Sequence, residues 1–320
     1  RDTHHACRVF KRAIISGLNS TGVNVRDLTV ATAAINRFDI KSGAAVGGIH
    51  VQMSLDNPDQ IEILFSESPG VPLDGKKERG IENLYFREDF RRAAFEEMGT
   101  VGYPPRAIET YTNSLLENWN TVAIRGRQPR LVIDYSSSAP ARFFPNTLDK
   151  LGVETVSINA GSSKRKRFTL SETLAESAER VAVLVQAMEA DFGAILDPGA
   201  EHLFVVDEKG RLIPDHALLL LLLEQAARES GGGAIALPLH ATRHAEHVVA
   251  SLGATVRRTK CSKAALTAEA TRPNTIFAAT GDGGYIYPSL LPSLDGLYAL
   301  GKVLEIVSAS DAPLSSLVDR

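Results

Sequence analysis

Asp197 and Glu201 sit in the turn Asp197-Pro-Gly-Ala-Glu201-His202, with Gly199 between them. The chemistry open to such a pair is the holding of a hard cation, which takes oxygen ligands in near-octahedral array when it is magnesium. Two acids around a glycine make an incomplete cage, so Asp197 and Glu201 are the candidate metal ligands of a site expected to stand empty. Three other stretches carry reactive types. Lys164-Arg165-Lys166-Arg167 is a cationic run in a loop ahead of a helix, which reads first as solvated charge. Thr280-Gly281-Asp282-Gly283-Gly284 is a glycine-rich turn, and by itself such a turn is a weak signal for ligand binding. His240, His244 and His247 have helical spacing, but three ligands on one short helix rarely close a tetrahedral zinc shell, so a solvated helix start is expected.

The elements that must position these residues alternate along the chain. Strand-like apolar runs and helix-period segments succeed one another, which predicts an α/β fold with mixed, mainly parallel sheets. A helix is expected from Thr3 to Ser20, strands at Val23–Leu28, Gly47–Ser54 and Ile61–Phe65, and a charged helix from Lys76 to Glu97. Pro105 suits the first turn of the next helix. Strands follow at Arg130–Asp134 and Val153–Ile158. Ser171 is the expected N-cap of a helix placing Leu174, Ala178, Val181, Val185 and Met188 on one face. Two apolar runs, Phe192–Leu196 and Leu203–Asp207, flank the acidic turn as a hairpin. Beyond it come a Leu-rich helix, a flexible Gly231–Gly233 connector, strands at Ala234–Leu239, Thr255–Lys260, Thr275–Thr280 and Tyr285–Tyr287, and a helix from Asp295 to Val307.

Composition narrows the class. The 320 residues suffice for two or three α/β domains, and 44% hydrophobic with 23% charged residues is ordinary for a globular protein. A net charge of -3 gives no reason to expect nucleic acid or an anionic membrane as partner. The run Leu218–Leu223 is too short to span a bilayer and reads as buried helix. Cys7 and Cys261 are far apart and in no metal-like spacing, so a reduced, cytoplasmic setting is expected. The first residue is Arg1 rather than Met, which suggests a piece of a longer polypeptide.

Four motifs, in order, resemble the α-D-phosphohexomutases, the phosphomannomutase and phosphoglucomutase family. Arg1-Asp2-Thr3-His4 is similar to the family's Gly-Arg-Asp-x-Arg at the first helix, with His4 in place of the second Arg. Gly47-Gly48-Ile49 leads to Ser54, which falls on the phosphoserine of Thr-Ala-Ser-His-Asn-Pro; Leu55 and Asp56 replace His and Asn, and Pro58 comes one residue late. The acidic hairpin resembles the metal loop Asp-Gly-Asp-x-Asp-Arg. Its three Asp positions fall on Asp197, Gly199 and Glu201, and its Arg position on His202. The sugar loop Gly-Glu-x-Ser-Gly-His is matched in length and flanks, with Thr280, Asp282 and Gly284 at the Glu, Ser and His positions.

The resemblance implies serial phosphohexomutase domains: 1–102 as an N-terminally incomplete domain I, 103–212 as domain II, 213–320 as domain III, and no domain IV. It implies Ser54 as the catalytic phosphoserine position. Lys164, Arg165, Arg167, Thr280, Asp282 and Gly283 are then the candidate substrate contacts, the cationic loop facing a central cleft where it would attract a sugar phosphate beside a helix N-terminus. Phosphoryl transfer depends on positioning and charge neutralisation, so losses at the metal, arginine and sugar positions imply a fold that has lost mutase chemistry. The expected role is a non-catalytic scaffold, oligomerisation or regulatory module in nucleotide-sugar synthesis of the GDP-mannose type, with no cofactor. The expected partner is an attached or associated sugar nucleotidyltransferase of the mannose-1-phosphate guanylyltransferase kind, in a bacterial fusion. Two other readings stay open: an active mutase that interconverts hexose 1- and 6-phosphates through phospho-Ser54 with Mg2+, and a hexose-phosphate sensor without turnover. Assembly into a homo-oligomer is also open.

Overall fold

Apolar runs and helices alternate in the computed structural model, which describes residues 1–54, 57, 59–161 and 170–319, and they build three successive α/β units. The first unit holds α1 (His5–Ser20), β1 (Val25–Arg26), α2 (Ala33–Lys41), β2 (Gly47–Met53), β3 (Ile61–Glu67), β4 (Val71–Pro72), α3 (Gly75–Arg87) and β5 (Val101–Gly102). Its strands divide into an antiparallel sheet, β2–β3–β4, and a parallel pair, β1–β5. A cavity of about 510 Å³ separates β1 from β2, lined by Ile14, Leu18, Ile40 and Val51 among others. His4 caps α1 through its ring, accepting from the Ala6 N–H, and Thr32 caps α2 by accepting from the Ile35 N–H at 3.2 Å.

The second unit holds α4 (Ala107–Asn118), α5 (Thr121–Arg127), β6 (Arg130–Asp134), α6 (Phe144–Asp149), β7 (Glu154–Ile158), α7 (Leu170–Ala187), β8 (Phe192–Leu196) and β9 (Leu203–Asp207). The third holds α8 (Asp215–Ser230), β10 (Gly233–Pro238), α9 (His244–Ala250), β11 (Ala254–Thr259), α10 (Lys263–Ala270), β12 (Thr275–Ala279), β13 (Tyr285–Ile286), α11 (Gly296–Ala309) and α12 (Leu314–Val318). Both sheets follow one plan. β7–β6–β8 and β11–β10–β12 run parallel, and each ends on an antiparallel strand, β9 or β13. Strands covered on both faces read as continuous apolar runs, and every residue of β8 and β9 is buried. Gly193 lets α7 lie against this sheet: a Cβ there would stand 2.2 Å from Val181.

One core spans the units. It runs from Ala34 and Ile35 of α2 through Tyr111, Trp119 and Leu131 to Phe277, Leu297 and Leu300. Leu218, Leu219, Leu222 and Leu223 of α8 are at most 1% exposed, and each contributes about 2 kcal/mol by leaving water. No helix among the described residues is long and apolar enough to cross a membrane.

Several expected elements differ in the structure. The helix expected from Lys76 to Glu97 ends at Arg87, where Glu88 turns left-handed at φ 53. None of α3 is buried, so no core contact carries it further, and only a 3-10 turn at Phe95–Glu97 follows. β1 is two residues rather than six, because only Val25 and Arg26 find partners in β5. Met188 lies past the end of α7 and is exposed, off the buried face it was expected to share. The three glycines at 231–233 are no loose connector: all have positive φ, and Gly233 begins β10.

Candidate functional site

β2 delivers Ser54 to a loop whose backbone is fixed at both ends. The Asp2 carboxylate accepts from the His4 N–H and the Met53 N–H, both at 2.9 Å, and Asp2 itself donates to the Val51 carbonyl at 3.0 Å. Ser54 N–H donates to the Gln60 carbonyl at 3.0 Å, and its Oγ accepts from Asn57 N–H at 3.4 Å. The period of two along a strand puts His50, Gln52 and Ser54 on one face, and all three are buried. Burial, helped by the positive charges of the chain's α-amino group and Arg37, holds His50 well below the usual imidazole range, so it is neutral.

Opposite this face lies the turn between β8 and β9, whose acids are already paired. Arg37 of α2, itself buried, donates to Glu201 from Nη1 at 2.6 Å, and Lys263 at the start of α10 approaches the other carboxylate oxygen at 3.9 Å. Asp197 accepts from the His202 N–H at 2.7 Å. The His202 ring Nδ1 lies 3.4 Å from Asp197 Oδ2, an ion-pair contact rather than an aligned hydrogen bond. Burial pushes the Asp197 carboxyl up and the His202 ring down, yet their mutual attraction and the backbone donors win, so Asp197 titrates low and His202 high. The two groups form a buried ion pair.

Gly199 stands at the centre of this arrangement. A Cβ there would meet Asp197 Oδ2 at 3.2 Å and Gln52 Oε1 at 3.6 Å, so the end of the Ser54 strand and the acidic turn face each other across it. Octahedral magnesium does not fit this donor set. Glu201 is engaged by Arg37 and Lys263, Asp197 by His202, and Gly199 supplies no carboxylate. Among the described residues no group of three or more His, Cys, Asp and Glu side chains is placed to hold a metal ion.

The glycine-rich turn after β12 closes the third side. Gly283 accepts from the Leu203 N–H at 2.9 Å, and His202 and Gly284 form an antiparallel bridge, so this loop is stitched to the acidic turn. Gly283 must be glycine: its φ is +92, and a Cβ would stand 2.9 Å from the Phe204 ring. Thr280 Oγ donates to the Asp282 carboxylate, and the Gly284 N–H donates back to Thr280 Oγ at 3.1 Å. Beneath the loop, Tyr111 donates to Asp295, its Oη lying 2.9 and 2.7 Å from the two carboxylate oxygens. Burial pushes Asp295 up to about 6 despite those bonds.

The structure therefore brings Ser54, Asp197, Glu201, Thr280, Asp282 and Gly283 to one junction of the three units. Lys164, Arg165 and Arg167 lie outside the described residues, as do Leu55, Asp56 and Pro58. His244 and His247 are exposed on the first turns of α9, the solvated helix start expected of them, whereas His240 is not on that helix, which begins at His244, and pairs instead with Cys261. Sequence reasoning missed Gln52, and it missed Arg37, Lys263 and Tyr111, whose partners are far away in the chain. The Asp295 cap was readable, since an Asp before an apolar helical run is a common N-cap.

Comparison with known proteins agrees with this architecture. Three family models match in series: phosphoglucomutase/phosphomannomutase α/β/α domain I over residues 1–92, domain II over 109–210 and domain III over 214–320. A phosphoglucomutase/phosphomannomutase of the archaeon Thermococcus kodakarensis is 30% identical over 325 residues, covering 100% of this chain and 70% of the relative. A probable phosphoglucosamine mutase of the same organism is 29% identical, covering 99% of this chain and 69% of the relative. Among solved structures, a family protein from Burkholderia thailandensis superposes with a TM-score of 0.87 at 20% identity, covering 99% of this chain and 69% of that one. A putative phosphomannomutase from Thermus thermophilus gives the same TM-score of 0.87 and identity of 20%, covering 99% and 72%. With its three units matched in order by successive domain models, the chain belongs to the phosphoglucomutase/phosphomannomutase family.

Proposed function

We propose that this family member does not turn over hexose phosphates, and that it serves as a scaffold or regulatory module in nucleotide-sugar synthesis of the GDP-mannose type. The observation that carries the reading is the commitment of both loop acids to the protein's own cations, Glu201 to Arg37 and Lys263, Asp197 to His202. Phosphoryl transfer needs the charge on the transferring oxygens neutralised as the bond breaks. Here the acids that would gather a magnesium ion are neutralised from within. Thr280 and Asp282, at the sugar-recognition positions, bond to each other. On this reading a hexose phosphate is at most a bound ligand, and the partner is an attached or associated sugar nucleotidyltransferase.

The direct test is to incubate the protein with mannose 1-phosphate or glucose 1-phosphate, magnesium and a hexose bisphosphate. The expected outcome is no hexose 6-phosphate above the protein-free control. Turnover within the ordinary enzymatic range of about 1–1000 per second would overturn the proposal. Metal affinity gives a second measure. Magnesium should leave the melting temperature of the parent unchanged, whereas Gly199→Asp, which crowds three acids together, should be destabilised by about 1–3 kcal/mol and regain part of that on adding magnesium.

The competing reading is an active mutase working through phospho-Ser54. It is favoured by the survival of Ser54 at a strand end held by Asp2, and by the mutase activities in the relatives' names. Intact mass decides here: one added phosphate, absent from Ser54→Ala, would support this alternative over ours.

A further inference from the structure

The ends of β10, β11 and β12 carry a pair of side chains that neither the phosphohexomutase resemblance nor the junction just described uses. His240 follows β10 and Cys261 follows β11, and the His240 Nδ1 lies 3.2 Å from the Cys261 Sγ. Both are exposed, in contrast to buried Cys7. The other side of the same ring faces the turn after β12, where a Cβ on Gly281 would stand 3.2 Å from Nε2. Ring and thiol thus occupy the carboxyl ends of three parallel strands, the side on which open α/β sheets meet their ligands. Lys260 and Lys263 flank Cys261 in sequence and are exposed, Asp282 follows Gly281 in the facing turn, and Cys261 sits one residue ahead of Ser262, the N-cap of α10.

A thiol with an imidazole in contact, open to solvent and with lysines close by in the chain, is the arrangement that makes a cysteine nucleophilic. We propose that Cys261 is a thiol-exchange site, with His240 as its base, that takes an anionic low-molecular-weight disulfide of the glutathione type. The step is balanced without an outside oxidant. The Cys261 proton passes to His240 Nδ1, and the thiolate attacks one sulfur of the disulfide. Its S–S bond breaks as the new one forms, and the departing thiolate takes the proton back from the imidazolium. One reduced thiol leaves for each mixed disulfide made.

The adduct would be read at the junction as well. Lys263, two residues on, reaches Glu201, so a group tethered to Cys261 between Lys260 and Lys263 competes for that ammonium.

The test treats the native chain with glutathione disulfide and follows intact mass against time. One adduct should form, on Cys261 and not on Cys7, and Cys261→Ser should abolish it. His240→Gln, a substitution at an exposed position, should slow the reaction at least about tenfold at neutral pH. The deficit should close as the pH rises beyond about 8.5, where a thiol ionises unaided. A role for His240 in packing alone would lower the rate equally at all pH values or leave it unchanged. Either result overturns the assignment, as does absence of an adduct or preferential labelling of Cys7.

Discussion

Asp197 and His202 are charged groups held almost wholly out of water, with side chains 0% and 6% exposed, and that makes their pairing a stability statement with a pH window. Asp197 titrates below its ordinary 3.8, so its contribution is in place above that value and is lost as the pH falls through the lower folded one. His202 titrates above its ordinary 6.5, so its contribution is complete below 6.5 and fades as the pH rises through the higher folded value. The pair therefore stabilises most between those limits. His202→Gln, which leaves the buried carboxylate without its counterion, should cost about 3 kcal/mol near pH 6 and less near pH 9, as measured by urea unfolding at both. An equal deficit at both would mean that the ring only fills space. The acids themselves are legible in the sequence as Asp197 and Glu201 in one turn. What neutralises Glu201 is not, because Arg37 lies 164 residues away and reads as one polar position in a short helix.

Between elements, the joint that holds the second unit to the third is built on the absence of a side chain. Trp119 ends α4 and packs on α11 at Gly301, where a Cβ would stand 1.8 Å from the indole. A ladder of charge continues the joint from the buried Lys302 and Glu305 out to the exposed Glu229: Asn120 N–H donates to Glu305 at 2.7 Å, and Lys302 reaches both Glu305 and Glu229 at 3.0 Å. Ala at an exposed helical position would gain about 1 kcal/mol over Gly. Here the clash dominates, since overpacking costs about 1–3 kcal/mol and the displaced ring also drags on Glu305 through Asn120. Gly301→Ala should therefore lower the melting temperature, and because Trp119 is the sole tryptophan, the emission should move red as water reaches it. A stabilised variant with unchanged emission would show that the ring has room. The interior strands of both sheets are legible as apolar runs, yet Gly301 in Ala-Leu-Gly-Lys looks only like a weak helix residue. Local sequence also fails at β1, whose two residues owe their conformation to β5, some 76 residues on.

Across the whole molecule, the three units differ in how firmly they are built, and that difference should appear on unfolding. The second and third supply most of the common core, to which the first adds α2, while the rest of the first is two small sheets parted by a cavity, a helix α3 with no buried residue, and Val46 at 97% exposure. The first unit is joined to the second across the junction by Arg37 on Glu201 and by Thr3, whose hydroxyl donates to the Ser137 carbonyl at 2.9 Å. Arg37→Met keeps much of the side-chain volume in α2 but takes from Glu201 its close partner, with Lys263 standing off at 3.9 Å. Removing one partner of a buried pair costs about 3–5 kcal/mol, because the remaining charge stays desolvated. That cost falls on the docking of the first unit, not on the joint that Trp119 reports. Followed by both probes, the variant should lose part of its far-ultraviolet circular dichroism at a lower temperature than its tryptophan signal, with early proteolytic cuts confined to residues before Val101. If both signals instead move down together, the cavity-bearing unit is coupled to the rest by its apolar contacts with α4 and α10, and Arg37 serves only to neutralise Glu201.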